Sequence, residues 1–406
     1  MKVLLLGNGF DLNHKFPTSY INFLNTVVFL READREKITT IGHVLGSEEL
    51  QKKDPFIEKC YDAHSRIYDG IAVDKKSIEA MIDLAKDNLW FNYLADSVAK
   101  NMTWIDFEKE IVRVLEAFFN LFESGILKLA NNHVIFNLAE LEGQEDKYII
   151  KCFPFFFEKM ENRVSINAEM MQIKDEFIVE RISGSGTIHL CQDEIIAELY
   201  KSLRELADIL KMYLNIFVDE PSQEYAKLGI KSKFASLPAA EQVYSFNYTN
   251  TYEILYRPNI VEHIHGNTNT DIVLGVNPDK TDEVYSIDTA FLQFKKYFQR
   301  TFYSTDDAFL KKIYGHQRAG TLEGIELYVV GHSLDVTDKD IIQLVFESAN
   351  KIYVLYHSDI SAKSQIRNLV EIYGKQGLDR LRAEKDLCFL KQSEVEWIFP
   401  TIESEG

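Results

Sequence analysis

Met1-Lys2-Val3-Leu4-Leu5-Leu6-Gly7-Asn8-Gly9-Phe10-Asp11-Leu12 opens the chain and decides its fold. Val3 to Leu6 make a short unbroken apolar run, the pattern of a strand covered on both faces. The run stops at two glycines one residue apart, which permit a tight turn and close approach by other backbone, and a helical pattern resumes from Thr18. Strand, glycine turn and helix is the arrangement that holds diphosphates in nucleotide-binding sheets. Taken alone, the stretch leaves two readings open. The dinucleotide fingerprint wants a third glycine, and Asp11-Leu12-Asn13 stands where it should fall, so a plain tight turn accounts for Gly7 and Gly9 equally well.

Outward from that strand the apolar runs are unevenly spread. Residues 31–234 are mostly helical in period, whereas short strand-like runs return from Gln242 onward. The clearest helix of the middle covers residues 193–218, with Ile195, Leu199, Leu203, Leu206, Leu210, Leu214 and Phe217 on one stripe. Another starts at Thr103, which with Asp106 fits a capping box ahead of Ile111, Leu115, Phe118 and Phe122; a third covers 77–99. Residues 143–190 read less clearly: Ser183 to Thr187 is a loop, and the aromatic cluster 153–157 is core. Beyond the middle, strands are expected at 243–246, 261–264, 272–276, 326–330, 352–356 and 395–399, alternating with helices at 288–303, 338–349 and 361–373. Thr337 with Asp340 reads as a capping box for the second of these. Alternation of this kind implies an α/β fold with a Rossmann-like parallel sheet. Residues 1–30 together with 235–406 form the sheet domain, and 31–234 a large, mainly α-helical insertion.

The 406 residues, 46% hydrophobic, are enough to bury a large core in more than one structural unit. There is no apolar run of about 18 uncharged residues, and Met1-Lys2-Val3 enters a strand without a signal pattern, so the expected location is cytoplasmic, with no membrane partner. A formal charge of −18 opposes nonspecific attraction to nucleic acid or anionic lipid and favours a small-molecule or protein partner. Cys60, Cys152, Cys191 and Cys388 are scattered without a Cys-x-x-Cys pair; neither a zinc knuckle nor a disulfide framework is indicated, and they read as small core residues.

Four expected strand ends carry polar residues and glycine directly after apolar runs: Gly7-Asn8-Gly9-Phe10-Asp11, Ser245-Phe246-Asn247-Tyr248-Thr249-Asn250, His263-Ile264-His265-Gly266-Asn267 and Gly331-His332-Ser333-Leu334-Asp335. In an open parallel sheet, ligands bind beyond the carboxyl ends of the strands, so all four would line one crevice. These motifs, with Phe16-Pro17-Thr18-Ser19-Tyr20 and Trp104-Ile105-Asp106-Phe107-Glu108, resemble the bacterial AbiH family, which is associated with abortive infection of phage. More distantly, the order of glycine loop, Asn-Tyr, His-Gly and Gly-x-Ser-Leu elements is similar to the sirtuin-like superfamily, which binds NAD and includes phage-defence NAD hydrolases.

The second resemblance implies a function: hydrolysis of NAD to nicotinamide and ADP-ribose, with no metal. It makes His265 the reactive-site histidine and Asn247 the residue that holds the nicotinamide ribose or an attacking water. Gly7, Asn8 and Gly9 would meet the diphosphate, Gly331 and Ser333 the adenosine half, and Phe10, Asp11, Tyr248, Gly266 and Asn267 would complete the NAD site. A histidine near neutral pKa suits a general base, and an amide orients sugar hydroxyls without adding charge. Thr249 departs from the pattern, since those hydrolases usually carry an acid after Asn-Tyr. The cysteine module of deacetylating sirtuins is also absent. The alternative is a nucleotide-binding sensor that signals to a partner without hydrolysis; a nuclease is a weaker third reading. A phage trigger protein and a homo-oligomer are further expectations, by analogy.

Plainer roles are open for the same residues. His263 and His265 share one face of a strand and read as half a metal site or as a structural pair. Asn247 and Asn250 suit a turn or helix cap. Asp335, Asp338 and Asp340 read as helix-start residues, and Trp104, Asp106 and Glu108 as a first turn with a packed aromatic. Asp11 would repel phosphate, which leaves it to contact ribose hydroxyls, hold a water or cap the following helix.

Overall fold

A computed structural model describes residues 1–97, 104–130, 133–160, 169–181, 188–228, 240–256, 260–277, 289–319 and 324–395. Strands β1 (Lys2–Leu6), β2 (Gln242–Ser245), β3 (Val261–His263), β4 (Glu326–Val330), β5 (Lys351–Tyr356) and β6 (Cys388–Lys391) form one sheet in the spatial order β6-β5-β4-β1-β2-β3. Every neighbouring pair is parallel, with Lys2 to Leu6 facing Glu326 to Val330 on one side and Val3 to Leu6 facing Gln242 to Ser245 on the other. The run from Val3 to Leu6 is apolar throughout because both faces are covered. Val3 and Leu5 pack with Leu327, Ile342 and Phe346, while Leu4 and Leu6 pack with Phe10, Tyr252 and Tyr328. From β1 the chain builds outward through β2 and β3, then crosses back to β4. The order therefore reverses beside β1, and the α/β Rossmann-like reading holds.

The helices round the sheet and its crevice include α1 (Gly9–Asn13), α2 (Tyr20–Glu32), α3 (Trp104–Glu123), α4 (Gln192–Leu214), α5 (Thr251–Leu255), α6 (Lys296–Tyr303), α7 (Asp307–Ala319), α8 (Lys339–Ser348) and α9 (Asp359–Glu384). α2 starts where it does because Ser19 and Asn22 cap each other reciprocally. The middle of the chain packs its helices round one apolar core that includes Tyr20, Phe23, Trp90, Phe107, Phe118, Leu203 and Tyr213. That core continues into Ile272, Leu274, Phe291 and Phe294, well beyond the boundary at 234 expected from sequence. The middle also holds strands: a four-stranded antiparallel sheet of Lys128–Ala130, His133–Asn137, Met170–Ile173 and Phe157–Lys159, and a ribbon of Ile178–Arg181 with Ile188–Leu190.

Several elements differ from expectation for local reasons. The helix over 77–99 is two, Lys75–Asp87 and Leu89–Ser97. Asn88 parts them, accepting from Phe91 N at 2.8 Å and donating to Ser202 O at 2.7 Å. Residues 272–276 are buried but join no strand. Val273 N donates to His265 O at 2.8 Å and Leu274 N to the Gln299 side chain at 2.9 Å, which leaves one bridge, from Val276 to Lys295. The helix expected over 288–303 is a 3-10 turn, Thr289–Phe294, followed by α6. The last described strand is Cys388–Lys391; residues 396–399 of the expected one lie outside the described residues, as do Thr103 and the loop at 183–187, and the Asp106 side chain is not described. Thr337 does not cap α8: Asp335 caps the 3-10 turn Val336–Asp338 by accepting from Thr337 N at 3.1 Å, and α8 follows from Asp338 without a side-chain cap bond. Of the cysteines only Cys60 is buried. Among the described residues no helix is long and apolar enough to cross a membrane.

Candidate functional site

At the carboxyl ends of the strands, on the β1 and β4 side where the order reverses, lies a crevice of about 620 Å³, within the range of small-molecule sites. Gly7, Asn8 and Gly9 form one wall and Gly331, His332 and Ser333 another. The two glycine turns interlock. Gly9 N donates to Gly331 O at 2.8 Å, Gly7 N donates to Val330 O at 3.0 Å, and Gly331 has φ +70° with Phe10 N 2.1 Å from where its Cβ would stand. A side chain at Gly7 would sit 2.6 Å from His332 Cα. The glycines are therefore required by backbone meeting backbone. Gly7, Gly9, Phe10 and Leu12 all spend their N–H groups on backbone carbonyls, so the loop holds fewer free donors for a diphosphate than its sequence implies.

Two residues beyond β2 stands Asn247, whose amide Nδ2 donates to Asp11 Oδ2 at 3.1 Å, while Thr249 Oγ1 donates to the same oxygen at 2.6 Å. Thr249 thus orients an acid that comes from α1. Asp11 is fully enclosed, and its pKa is pushed up to about 7. Burial is the chief cause; the Thr249 and Thr251 hydroxyls oppose it, the latter without reaching hydrogen-bonding geometry, and the charges of Asp219 and Glu253 add to it. Asp11 Oδ1 and Asn247 Oδ1 are buried without a protein partner.

The inner end of the crevice is built on Lys296, which enters from α6 on the same buried side as Gln299 and Arg300. Its Nζ lies 2.8 Å from Asp338 Oδ1 and 2.7 Å from Glu108 Oε1, so one ammonium serves two carboxyls. Asp338 also faces His265 Nε2 at 3.5 Å and His332 Nε2 at 3.7 Å. Burial alone would raise Asp338, but Lys296 and the two histidines override it and hold the carboxyl well below the ordinary range. Burial likewise lowers both histidines, leaving neutral rings at pH 7 despite the nearby carboxylate. Leu334 N donates to His332 Nδ1 at 2.9 Å, so the neutral His332 ring carries its proton on Nε2, toward Asp338. Glu108 is pushed up to about 7, by burial first and the charge of Asp338, against the pull of Lys296. Glu108 Oε2 and His265 Nε2 are buried and lack a hydrogen-bond partner.

Of the residues singled out from sequence, Gly7, Asn8, Gly9, Asp11, Asn247, Tyr248, His265, Gly331 and Ser333 line this crevice. Phe10, Gly266 and Asn267 do not. Phe10 turns into the core against Tyr252 and Tyr256. Gly266 has φ +74° beneath Asp271 O, and Asn267 accepts from Asn269 N at 2.9 Å in an exposed turn. His263 is occupied by Asn247 O and Glu253, apart from His265. Asn250 does not cap α5 with its side chain; with Thr268 it binds Asp219, at the end of the π turn that follows α4. Sequence reasoning left Lys296 unremarked and gave Asp338 and Glu108 to helix starts. Lys296 carried no signal in the sequence, because the buried side of α6 is Lys296, Gln299 and Arg300 while Tyr297 and Phe302 face outward. The serines of the outer rim, Ser358, Ser361 and Ser364 at the start of α9, carried no sequence signal.

Among the described residues, no group of three or more His, Cys, Asp or Glu is placed to hold a metal ion. The site offers neutral imidazoles, two carboxyls that titrate near neutrality and unmatched polar atoms for a bound molecule. Such an arrangement suits proton transfer and the holding of sugar hydroxyls or water. Residues 3–357 match the model of the family described as "Bacteriophage abortive infection AbiH". Neither a curated protein nor a solved structure matches significantly.

Proposed function

We propose, for a chain that belongs to the AbiH family and so to abortive-infection defence against bacteriophage, that its crevice binds NAD or a related adenine nucleotide and hydrolyses the nicotinamide–ribose bond. The observation that carries this reading is the set of buried, unmatched atoms round the crevice: Asp11 Oδ1, Asn247 Oδ1, Glu108 Oε2, His265 Nε2 and Gln365 Oε1. Buried polar atoms are ordinarily paired, and five round one crevice call for a polar ligand. In this reading Asn247 and His265 hold the nicotinamide ribose and the attacking water. The water oxygen bonds to C1′ as the C1′–N bond breaks. The bonding pair returns to the pyridinium nitrogen, so nicotinamide leaves neutral and needs no acid; the only proton to place is that of the water.

Incubation of the wild-type protein with NAD, followed by chromatography, should show nicotinamide and ADP-ribose. His265→Ala and Asn247→Ala should each lower release by about 100-fold or more while the fold persists. Unchanged turnover in both variants would reject the assignment.

A second reading, a nucleotide sensor without hydrolysis, has one observation in its favour. The helical body supplies part of the crevice wall through Phe56, Glu108 of α3 and Leu214 of α4, so an occupant would be felt in the body and passed to a partner protein. In that case NAD stays intact yet raises thermal stability by mass action.

A further inference from the structure

The water that attacks the sugar must lose a proton, and the crevice offers four ionisable groups near its inner end beside Lys296. Asp338 is committed: Lys296 lies 2.8 Å from Oδ1, and His265 and His332 face its two oxygens. His332 is committed too, because Leu334 N already donates to its Nδ1 and its other nitrogen points at Asp338. His265 is a neutral ring that burial makes a weak base. Glu108 is not committed as Asp338 and His332 are, and unlike His265 it is a carboxylate held beside a cation. Its Oε1 is held 2.7 Å from Lys296, while its Oε2 is enclosed, lines the crevice and has no hydrogen-bond partner.

We propose that Glu108, delivered from the helical body by α3, takes the proton of the attacking water, with Lys296 holding its carboxylate in place. The assignment rests on the hydrolase reading above. With Glu108 and Asp338 both ionised, Lys296 faces one negative charge too many in a buried site, and taking up a proton at Glu108 Oε2 relieves it. The Lys296–Asp338 pair remains intact after that uptake, so protonation leaves no buried charge alone. When product departs, Glu108 returns the proton to solvent, and the balance is NAD⁺ plus water to nicotinamide, ADP-ribose and H⁺. Asp11 also has an unmatched oxygen, but its charged neighbours are Asp219 and Glu253, and among the described residues no cation pairs with it. The groups that face Glu108 and set its titration are Lys296 of α6 and the Thr337 hydroxyl, which lower it, and Asp338 ahead of α8, which raises it; the Tyr248 hydroxyl after β2 feels the Glu108 charge in turn. His265, His332 and Arg300 act through Asp338 and Lys296. The pKa of about 7 that burial imposes agrees with such a role at neutral pH.

The test compares NAD hydrolysis by wild type, Glu108→Gln and Glu108→Asp between pH 5 and pH 9, with NAD-induced thermal shifts measured in parallel. Glu108→Gln should keep the NAD-dependent shift and the KM but lower kcat by about 100-fold or more, and its residual rate should lose the rise through pH 7. Glu108→Asp withdraws the carboxyl by one methylene; it should retain a pH-dependent rate, lower than that of wild type. If Glu108→Gln does not fold, the aspartate variant decides, and a kcat equal to wild type overturns the assignment. Wild-type hydrolysis alongside an undiminished Glu108→Gln rate with the same pH profile overturns the role of Glu108 alone. A wild-type protein that releases no nicotinamide overturns the hydrolase reading and this assignment with it.

Discussion

In the helical body, Trp90 is fully enclosed and its indole N–H donates to Leu199 O at 2.9 Å; Tyr213 is equally buried and donates to Pro17 O at 2.7 Å. Asn88 uses both ends of its amide. In the crevice at the end of the sheet, Asp11, Asn247 and His265 are buried and Glu108 is half-buried, yet each leaves an enclosed atom unmatched. The difference teaches what each region is for. An unmatched buried oxygen costs about 1–3 kcal/mol, so what matters is which kinds of group a region leaves open. The body's unmatched atoms include neutral hydroxyls such as those of Thr26 and Tyr68, whereas the crevice leaves carboxyl, amide and imidazole atoms open. The body supports the fold, and the crevice gives up stability to keep these groups available.

The largest expected effect lies in the body. Trp90→Ala removes a ring packed against Phe153 and its bond to Leu199, and should cost about 3–5 kcal/mol in urea unfolding. A loss as small as that of a surface substitution would break the comparison from the body's side.

Next comes Asp11→Asn, which sharpens it from the other. The Asp11 carboxyl is raised on folding from 3.8 to about 7, so the native state binds the proton more tightly than the unfolded chain does. Its contribution to stability is full below pH 3.8 and is lost as pH rises through 7. Relative to Asp11→Asn, the wild-type protein should therefore lose stability between pH 4 and pH 8, by up to about 4 kcal/mol. Melting curves of both proteins across that range measure the difference; parallel curves would show that Asp11 carries no strained charge. The smallest effect is expected from Lys128→Ala. Lys128 pairs with Glu140 at 2.8 Å where both side chains are at least 40% exposed, and its loss should change stability by less than about 0.5 kcal/mol.

Much of this architecture was legible in the chain. The runs that became β1, β2, β4 and β5 could be placed because strands buried on both faces are apolar without interruption. The motif ends then followed from the rule that parallel sheets bind at their carboxyl edge. Asp338 does stand at the start of α8, as an aspartate before an amphipathic run suggests, but its side chain makes no cap bond and turns inward to Lys296, while Asp335 caps the short turn before it. Glu108 likewise falls near a helix start. Residues 272–276 have the composition of a strand, but a side-chain amide, Gln299, took the backbone donor of Leu274.

The sequence by itself determined the α/β class, the strand ends that carry polar residues, and a helical body set between the first strand and the rest. Those are properties of residue period and of turn chemistry, which act over a few residues at a time. Only the tertiary structure decided that the glycine turns interlock, that Asp11 of α1 meets Asn247 from 236 residues away, and that Glu108, Lys296 and Asp338 share one charge balance. Hydrogen bonds and ion pairs act over a few ångströms, and that proximity exists only once the sheet and the body have packed together.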